Sequence, residues 1–174
     1  MDGEQEFNHR MSKVRQAMRD QGLETLLIFD SGRHNFLRMN YVAYLTDFIS
    51  VGPETVVVLP LADAPVLYLA PVWDIARAKD ESAVGEVRPF KEFWNRLSTI
   101  RGKVGLIGKE AMHADLYDEI AKALDQKPMN AKDIIENLAR SKSPFELERL
   151  SKAAAIADAG VQALHEDARA GLKE

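Results

Sequence analysis

The feature that most constrains the fold is a series of short apolar runs that alternate with segments of helical periodicity. The first run, Leu26-Leu27-Ile28-Phe29, lies between Gly22 and Ser31-Gly32 and predicts a buried strand over residues 23–30. Comparable runs cover residues 55–59, 66–69 and 104–107, and weaker ones cover 84–89 and 129–132. Strands that alternate with helices predict an α/β sandwich around a sheet.

The segments between these runs carry apolar residues spaced three and four positions apart, which is typical of amphipathic helices. The first such helix extends from Phe7 to Met18 and is expected to stop at Gly22. A turn at residues 62–65 joins two of the strands, so an antiparallel hairpin is expected and the sheet should be mixed. Further helices are predicted near residues 72–76, 90–100 and 116–124.

The last third of the chain predicts one long helix. Ser143 is a good N-cap, Pro144 suits the first helical position, and Glu146 completes a capping box. Gly171 is expected to end the helix. We interpret residues 1–133 as an α/β domain, and residues 134–174 as a linker followed by the first helix of a truncated further domain. One narrow apolar stripe follows the cap and consists of Leu147, Leu150, Ala154, Ala157, Val161, Leu164 and Ala168.

Composition excludes several classes of protein. The chain has 174 residues, 46% of them hydrophobic and 29% charged, with a net charge of −4 and no basic stripe, so nucleic acid is not an expected partner. The absence of cysteine excludes disulfides, thiolate metal sites and a cysteine nucleophile. No signal peptide or apolar run of membrane-spanning length occurs, so we expect no membrane contact and a cytoplasmic location.

Two segments resemble the creatinase/aminopeptidase P/prolidase family. The first contains Lys132-Asp133-Ile134-Ile135 and Lys142-Ser143-Pro144, and it resembles the junction between the N-terminal domain and the "pita-bread" catalytic domain. The second, Tyr44-Leu45-Thr46-Asp47-Phe48, is similar to the family's Tyr-Leu-Thr-Gly-Phe, with Asp47 in place of Gly. The junction resemblance also includes Leu138, Arg140, Glu146, Leu150 and Ala153, whereas Lys173 departs from the family's Thr and Tyr41 from its Asn.

The resemblance implies a three-layer α/β/α domain with a mixed, mostly parallel sheet of the ribonuclease H-like type, plus a C-terminal helix. It implies a parent homodimer that cleaves the bond before proline in small peptides, using two divalent ions (Mn, Co or Zn) in the catalytic domain. This chain would supply no catalytic residue and no metal ligand. A creatinase-type amidinohydrolase and a catalytically silent protein-binding module of the same fold remain alternatives.

The loop after Tyr44 is the candidate functional segment. By resemblance it reaches a neighbouring subunit and helps to wall the substrate pocket, and we expect Asp47, Phe48 and Ser50 to form its exposed tip. Phe48 would supply an apolar wall and Asp47 a charge that selects the free amine of a peptide. The alternative for Asp47 is that it caps a local turn, and Tyr44 and Leu45 are expected to pack.

Three weaker patterns are interpreted as structural. Asp30-Ser31-Gly32 imitates an aspartic-protease loop, but the predicted helices contradict an all-β fold, so we expect a strand end and a turn. The segment from Gly105 to Lys109 is too short for a phosphate loop. The histidines at positions 9, 34, 113 and 165 are scattered, and no metal site is expected.

Overall fold

The structure is a computed structural model that describes residues 2–32, 38–169 and 171. Short 3₁₀ turns occupy Val72–Asp74, Phe90–Glu92 and Lys109–Ala111. The helices are α1 (Gly3–Asp20), α2 (Tyr41–Thr46), α3 (Ile75–Glu81), α4 (Phe93–Leu97), α5 (Ala114–Ala123), α6 (Lys132–Arg140) and α7 (Pro144–Asp167). The strands are β1 (Thr25–Asp30), β2 (Thr55–Pro60), β3 (Val66–Leu69), β4 (Glu86–Pro89), β5 (Val104–Ile107) and β6 (Met129–Asn130).

The strands form one sheet in the order β4-β3-β2-β1-β5-β6. β2 runs antiparallel to both of its neighbours, whereas the β1–β5, β3–β4 and β5–β6 pairs are parallel. The other five strands therefore share one direction. This confirms the predicted hairpin and a mixed, mostly parallel sheet.

Both faces of the sheet are buried in its central part, which explains why β1, β2, β3 and β5 contain continuous apolar runs rather than alternating ones. On β1, Leu26 and Ile28 join a core formed with α1, α2, α3 and α6. Leu27 and Phe29 point to the opposite face and pack with α4 and α5. The predicted three-layer arrangement is confirmed. Burial of each such side chain stabilises the fold by roughly 1.5–3 kcal/mol.

Local signals in the sequence set the element ends. Asp2 accepts a hydrogen bond of 2.8 Å from the Gln5 amide and starts α1 with a capping box. Gly22 lies just beyond the helix with φ of +66°. After β5, Gly108 has φ of +86° and passes so close to the Phe29 carbonyl oxygen that a Cβ would clash with it. Glycine is thus required where β5 leaves the sheet.

Helix α7 begins as predicted, with Ser143 and Glu146 forming a capping box around Pro144. It ends at Asp167, and Ala168 is already extended, so the prediction that Gly171 ends the helix is wrong. The structure describes all of α7, and none of its residues is buried. α6, by contrast, contacts α1, and its Ile134 and Ile135 belong to the domain core. The domain division at residue 133 stays a prediction.

Within the described part of the chain, none of the helices has both the length and the apolar character needed to cross a lipid bilayer.

Candidate functional site

The candidate loop starts where α2 ends. The Asn40 side chain caps the start of this helix by accepting a 2.7 Å hydrogen bond from the Ala43 amide. At the other end, Asp47 has a left-handed conformation with φ of +55°, and its amide donates to the Ala43 carbonyl oxygen at 2.9 Å. Glycine adopts this conformation most easily, and aspartate tolerates it better than most residues. The backbone position of Asp47 matches the interpretation that it caps a local turn.

Two of the three residues expected at an exposed tip are buried. Phe48 is 0% exposed and Ser50 is 3% exposed, so the prediction of their exposure is wrong. Exposed and buried side chains alternate along residues 47–51, and the exposed ones are Asp47, Ile49 and Val51. Whether these residues wall a substrate pocket in trans stays a prediction.

A buried carboxylate fixes this loop to the segment that follows β3. Ser50 Oγ donates to Asp74 Oδ2 at 3.1 Å, and Arg77 Nε donates to Asp74 Oδ1 at 2.8 Å. The Arg77 guanidinium also donates to the Ile49 carbonyl oxygen at 2.8 Å and lies 4.4 Å from the centre of the Phe48 ring. Its hydrogen bond to Asp74 raises the pKa of Arg77. The two segments are thus held as one rigid surface.

This surface presents exposed apolar side chains, which we call the apolar edge patch. Trp73 is the largest, at 71% exposed, and it lies next to the buried Asp74. Gly52 leaves no room for a Cβ because Pro71 lies against it, which keeps the two segments close. Sequence reasoning did not predict that Trp73 is exposed, although an aromatic residue between Val72 and a charged residue was a visible signal. The members of the apolar edge patch are Ile49, Val51, Val72 and Trp73.

A second arrangement surrounds the buried Arg10 of α1. Its Nε donates to Glu6 Oε1 at 2.8 Å, and Nη2 donates to Glu146 Oε1 at 3.1 Å. Nη1 donates to the Tyr44 carbonyl oxygen at 2.5 Å, and the guanidinium lies 4.5 Å from the centre of the Tyr44 ring. One cation therefore connects α1, α2 and α7. Burial, with the Glu146 charge, raises the pKa of Tyr44.

The Arg10 arrangement borders a cleft of about 500 Å³ between α2 and α7. Asp47 lies at this cleft, with Oδ1 3.7 Å from Arg10 Nη1 and 3.6 Å from Arg149 Nη1. Its charge is shared between two cations, which leaves it poorly suited to select the amine of a peptide. The apolar side chains that line the cleft are Met39, Ala43, Tyr44, Leu150 and Ala153.

Polar groups also meet at the ends of β1 and β5. Asp30 Oδ1 accepts a 2.9 Å hydrogen bond from the Gly32 amide, which confirms the strand end and turn. Burial raises the pKa of the Asp30 carboxyl, while the Gly32 amide and the Arg38 charge oppose this change. The Tyr41 hydroxyl lies 3.0 Å from Glu110 Oε1 and 2.9 Å from Glu136 Oε1, and burial with these carboxyl groups raises the pKa of Tyr41.

The described residues offer no metal centre: among them, no three His, Asp or Glu side chains are placed to hold one ion. His9, His113 and His165 are exposed and far apart in the sequence, and His34 lies outside the described residues. The two ions implied by the family therefore do not fit this part of the chain. That the chain binds no metal stays a prediction to be measured.

Solved structures share this fold. The prolidase from Pyrococcus horikoshii OT3 matches with a TM-score of 0.73 and 24% identity, over 95% of this chain and 45% of that one. The X-Pro aminopeptidase from Thermotoga maritima MSB8 matches with a TM-score of 0.74 and 21% identity, over 93% of this chain and 44% of that one. The chain therefore spans less than half the length of these structures.

A shorter structure matches over almost its full length. The creatinase/prolidase N-terminal domain of an X-Pro dipeptidase from Streptococcus pyogenes has a TM-score of 0.57 and 14% identity, over 75% of this chain and 98% of that one. Curated protein sequences give no match. A family model described as the creatinase/prolidase N-terminal domain matches residues 10–140, which is well over half of the chain. The suspected resemblance is confirmed, and the chain belongs to the creatinase/prolidase N-terminal domain family.

Proposed function

We propose that this chain is the non-catalytic N-terminal domain of a metal-dependent Xaa-Pro peptidase of the aminopeptidase P/prolidase type. In this proposal it contributes to dimerisation and to the wall of the substrate pocket. Family membership supports the proposal, as do the prolidase and aminopeptidase structures that share the fold. The catalytic groups and both metal ions would belong to a further domain, because the described residues bring no ligand set together.

The apolar edge patch is the observation that carries the pocket-wall role. Its exposed side chains belong to a loop and a turn held by the Ser50–Asp74–Arg77 contacts. A pocket wall must keep its shape when substrate binds. The Ser50–Asp74–Arg77 contacts already order the loop, so substrate binding costs less conformational entropy than it would with a free loop. A proline ring is apolar and compact, so exposed apolar side chains such as those of Val51 and Trp73 suit it. Ile49, Val51 and Trp73 thus take the role first assigned to Phe48 and Ser50.

Activity assays test the proposal with two samples. The first is the 174-residue chain, and the second is the full-length product of the gene, including any sequence after Glu174. Each is supplied with Mn²⁺, Co²⁺ or Zn²⁺ and assayed on Xaa-Pro dipeptides and on tripeptides with proline in second position. We expect hydrolysis only by the full-length product, and only at bonds that precede proline.

Three results would contradict parts of the proposal. Hydrolysis of creatine instead of peptides would favour the amidinohydrolase. A full-length product with no hydrolase activity would favour the protein-binding module. Peptide hydrolysis by the 174-residue chain itself would overturn the non-catalytic assignment.

A further inference from the structure

A cavity of about 340 Å³ lies on the face of the sheet that packs with α4, at the end where β3 and β4 begin. The turn after β2, the strands β3 and β4, and Arg96 of α4 border it. All of its lining residues lie within residues 10–140, which match the family, so the cavity does not depend on α7. The apolar edge patch lies at the other end of these strands, because its two segments precede β2 and follow β3.

The hydroxyl of Tyr68 reaches this cavity without a partner. Tyr68 is 2% exposed, and the centre of its ring lies 5.7 Å from that of Phe93 in the core, so the hydroxyl is the part that meets the cavity. Within the described part of the chain it makes no hydrogen bond, whereas a buried tyrosine hydroxyl normally finds a partner. Burial raises the pKa of Tyr68, while the charges of Arg88 and Arg96 oppose this change. The hydroxyl is therefore a protonated donor that faces two guanidinium groups.

Arg96 is a half-buried cation that forms no ion pair with any of the described residues. Its Nη1 lies 3.4 Å from Thr99 Oγ1, which is longer than an ordinary N–H···O hydrogen bond. Arg88, by contrast, bonds to Glu86 and lies 3.6 Å from Glu92 Oε2. A guanidinium presents five N–H donors in a planar fork that matches a carboxylate or a phosphate. Arg96 thus offers donors and a positive charge to a ligand in the cavity.

We propose that this cavity binds a small organic molecule through a carboxylate or phosphate group. Arg96 holds the oxyanion by charge-assisted hydrogen bonds, and the Tyr68 hydroxyl donates a further one. Ala64 and Val66 add apolar surface to the wall. A molecule with a compact apolar body therefore fills the cavity better than a bare ion does.

Two carboxylates border the same cavity and oppose the binding of an anion. Glu86 accepts a hydrogen bond from Arg88 Nε, so its charge is already balanced. Asp63 is exposed at the turn after β2, where solvent and salt screen its charge. Neither carboxylate is paired with Arg96, whose attraction for an anion is retained.

This site goes beyond the proposed function because it needs neither the apolar edge patch nor catalysis. Isothermal titration calorimetry of the 174-residue chain in Tris chloride tests it with benzoate, phenyl phosphate and benzamide. Benzamide has the shape of benzoate without its charge, so it should bind about tenfold more weakly than the preferred anion. The tighter of the two anions shows whether the site takes a carboxylate or a phosphate. Equal binding of all three probes overturns the proposal, as does the absence of binding by both anions at about 10 mM.

Variants of the chain locate the site. Arg96→Gln removes the cation and should weaken binding of the preferred anion about tenfold or more, and Tyr68→Phe removes only the hydroxyl and should weaken it about three- to tenfold. Arg101→Gln is the matched control, since this exposed arginine follows the same helix and bonds to the Ser98 and Ile100 carbonyl oxygens outside the cavity. It should leave the dissociation constant unchanged. Binding that Arg96→Gln or Tyr68→Phe leaves intact overturns the proposal, as does an equal loss in Arg101→Gln. Circular dichroism and melting temperature should match in every variant, so that loss of binding is not loss of fold.

Discussion

Arg10 Nη2 donates to Glu146 Oε1 at 3.1 Å, and this contact joins α1 to α7 through two residues that are 136 positions apart in the sequence. The other oxygen of the same carboxylate accepts a 2.8 Å hydrogen bond from the Ser143 amide and closes the capping box of α7. Glu146 therefore starts the helix and also fixes its first turn against α1. The orientation of α7 depends on a cation that is buried within the α/β domain.

Removing the Arg10 cation should destabilise the whole domain. Arg10→Met keeps most of the apolar stem but leaves Glu6 buried without a cation, and Glu6 Oε2 already has no partner among the described residues. Loss of one member of a buried ion pair typically costs about 3–5 kcal/mol. We expect the free energy of unfolding in urea to fall by about 3 kcal/mol. Arg19→Met is the control on the same helix. Among the described residues, the exposed Arg19 side chain bonds only to Gln16, so this variant should change stability by less than about 0.5 kcal/mol. Equal losses in the two variants would show that Arg10 contributes no more than a surface residue.

The left-handed conformation of Asp47 predicts an unusual tolerance of glycine. Asp47→Gly removes two long contacts with Arg10 and Arg149, which are worth little at a partly exposed site, and it relieves the cost of positive φ. We expect the free energy of unfolding to change by less than about 1 kcal/mol. Asp47→Val should cost about 1–3 kcal/mol, because a β-branched residue is strained at this φ.

Asp125 offers a matched test, since it also has positive φ, at +52°, but lies beyond α5 and away from the cleft. Its glycine and valine variants should follow the same order as those at Asp47. If valine is tolerated at both positions, the backbone conformation is not the constraint that we infer.

The buried carboxyl of Asp30 makes stability depend on pH. Burial raises its pKa, so the folded state holds this proton more tightly than the unfolded chain does. Between the ordinary carboxyl value, about 4, and the raised value, the folded state binds more protons, and stability falls as pH rises through this window. Asp30→Asn cannot ionise and still offers an oxygen to the Gly32 amide.

Urea unfolding of Asp30→Asn and the unmodified chain at a series of pH values measures this effect. The free energy of unfolding of the unmodified chain should decline relative to the variant as pH rises above about 4, and the difference should be constant below that value. Asp80→Asn controls for the loss of one negative charge at an exposed position. If the free energies of unfolding of Asp30→Asn and of the unmodified chain change in parallel at every pH, the inference that burial raises the pKa of Asp30 is wrong.

The sequence was sufficient to predict most of the elements because local patterns specify them, although α6 lies where a linker was expected. The apolar run at residues 26–29 and the Ser143–Glu146 cap each act within a few neighbouring positions, and both predictions are confirmed. The end of α7 was mispredicted because Gly171 carries a strong stop signal, while the helix already unwinds at Ala168. Periodicity continues through residue 168 and gave no indication of this earlier end.

The candidate site was less predictable because its contacts are long-range. Successive side chains of an extended segment point to opposite sides, and the sequence of this loop does not show which of them point inward, so Phe48 and Ser50 were expected to be exposed although they are buried. The hydrogen bond from Ser50 to Asp74, which lies 24 positions away, determines which side chains of the loop point inward. Arg10 likewise reads as an ordinary polar residue of an amphipathic helix. Its burial depends on Tyr44 and Glu146, which lie 34 and 136 positions away.

The apolar edge patch predicts a kinetic effect in the full-length product, provided that it hydrolyses Xaa-Pro peptides. Trp73→Ala and Val51→Ser remove apolar surface that would contact substrate. Trp73→Ala should therefore raise KM about five- to tenfold for proline-containing substrates, with little change in kcat. Trp73→Phe keeps a flat apolar ring and is expected to retain most of the affinity. Metal content and melting temperature should match the unmodified protein, because both side chains are exposed.

Mixed dimers show whether the patch acts on the partner subunit. One subunit carries an inactive catalytic domain and the other carries Trp73→Ala, so each dimer has one working active site. If the patch of one subunit borders the pocket of the other, KM stays normal when the intact patch belongs to the inactive subunit. In the second arrangement, one subunit carries both the inactive catalytic domain and Trp73→Ala, and the other subunit is unmodified. KM should then rise, because the patch that faces the working pocket is the altered one. Identical KM values in both arrangements would exclude a contribution in trans, and unchanged KM in the Trp73→Ala homodimer would return the patch to a structural role.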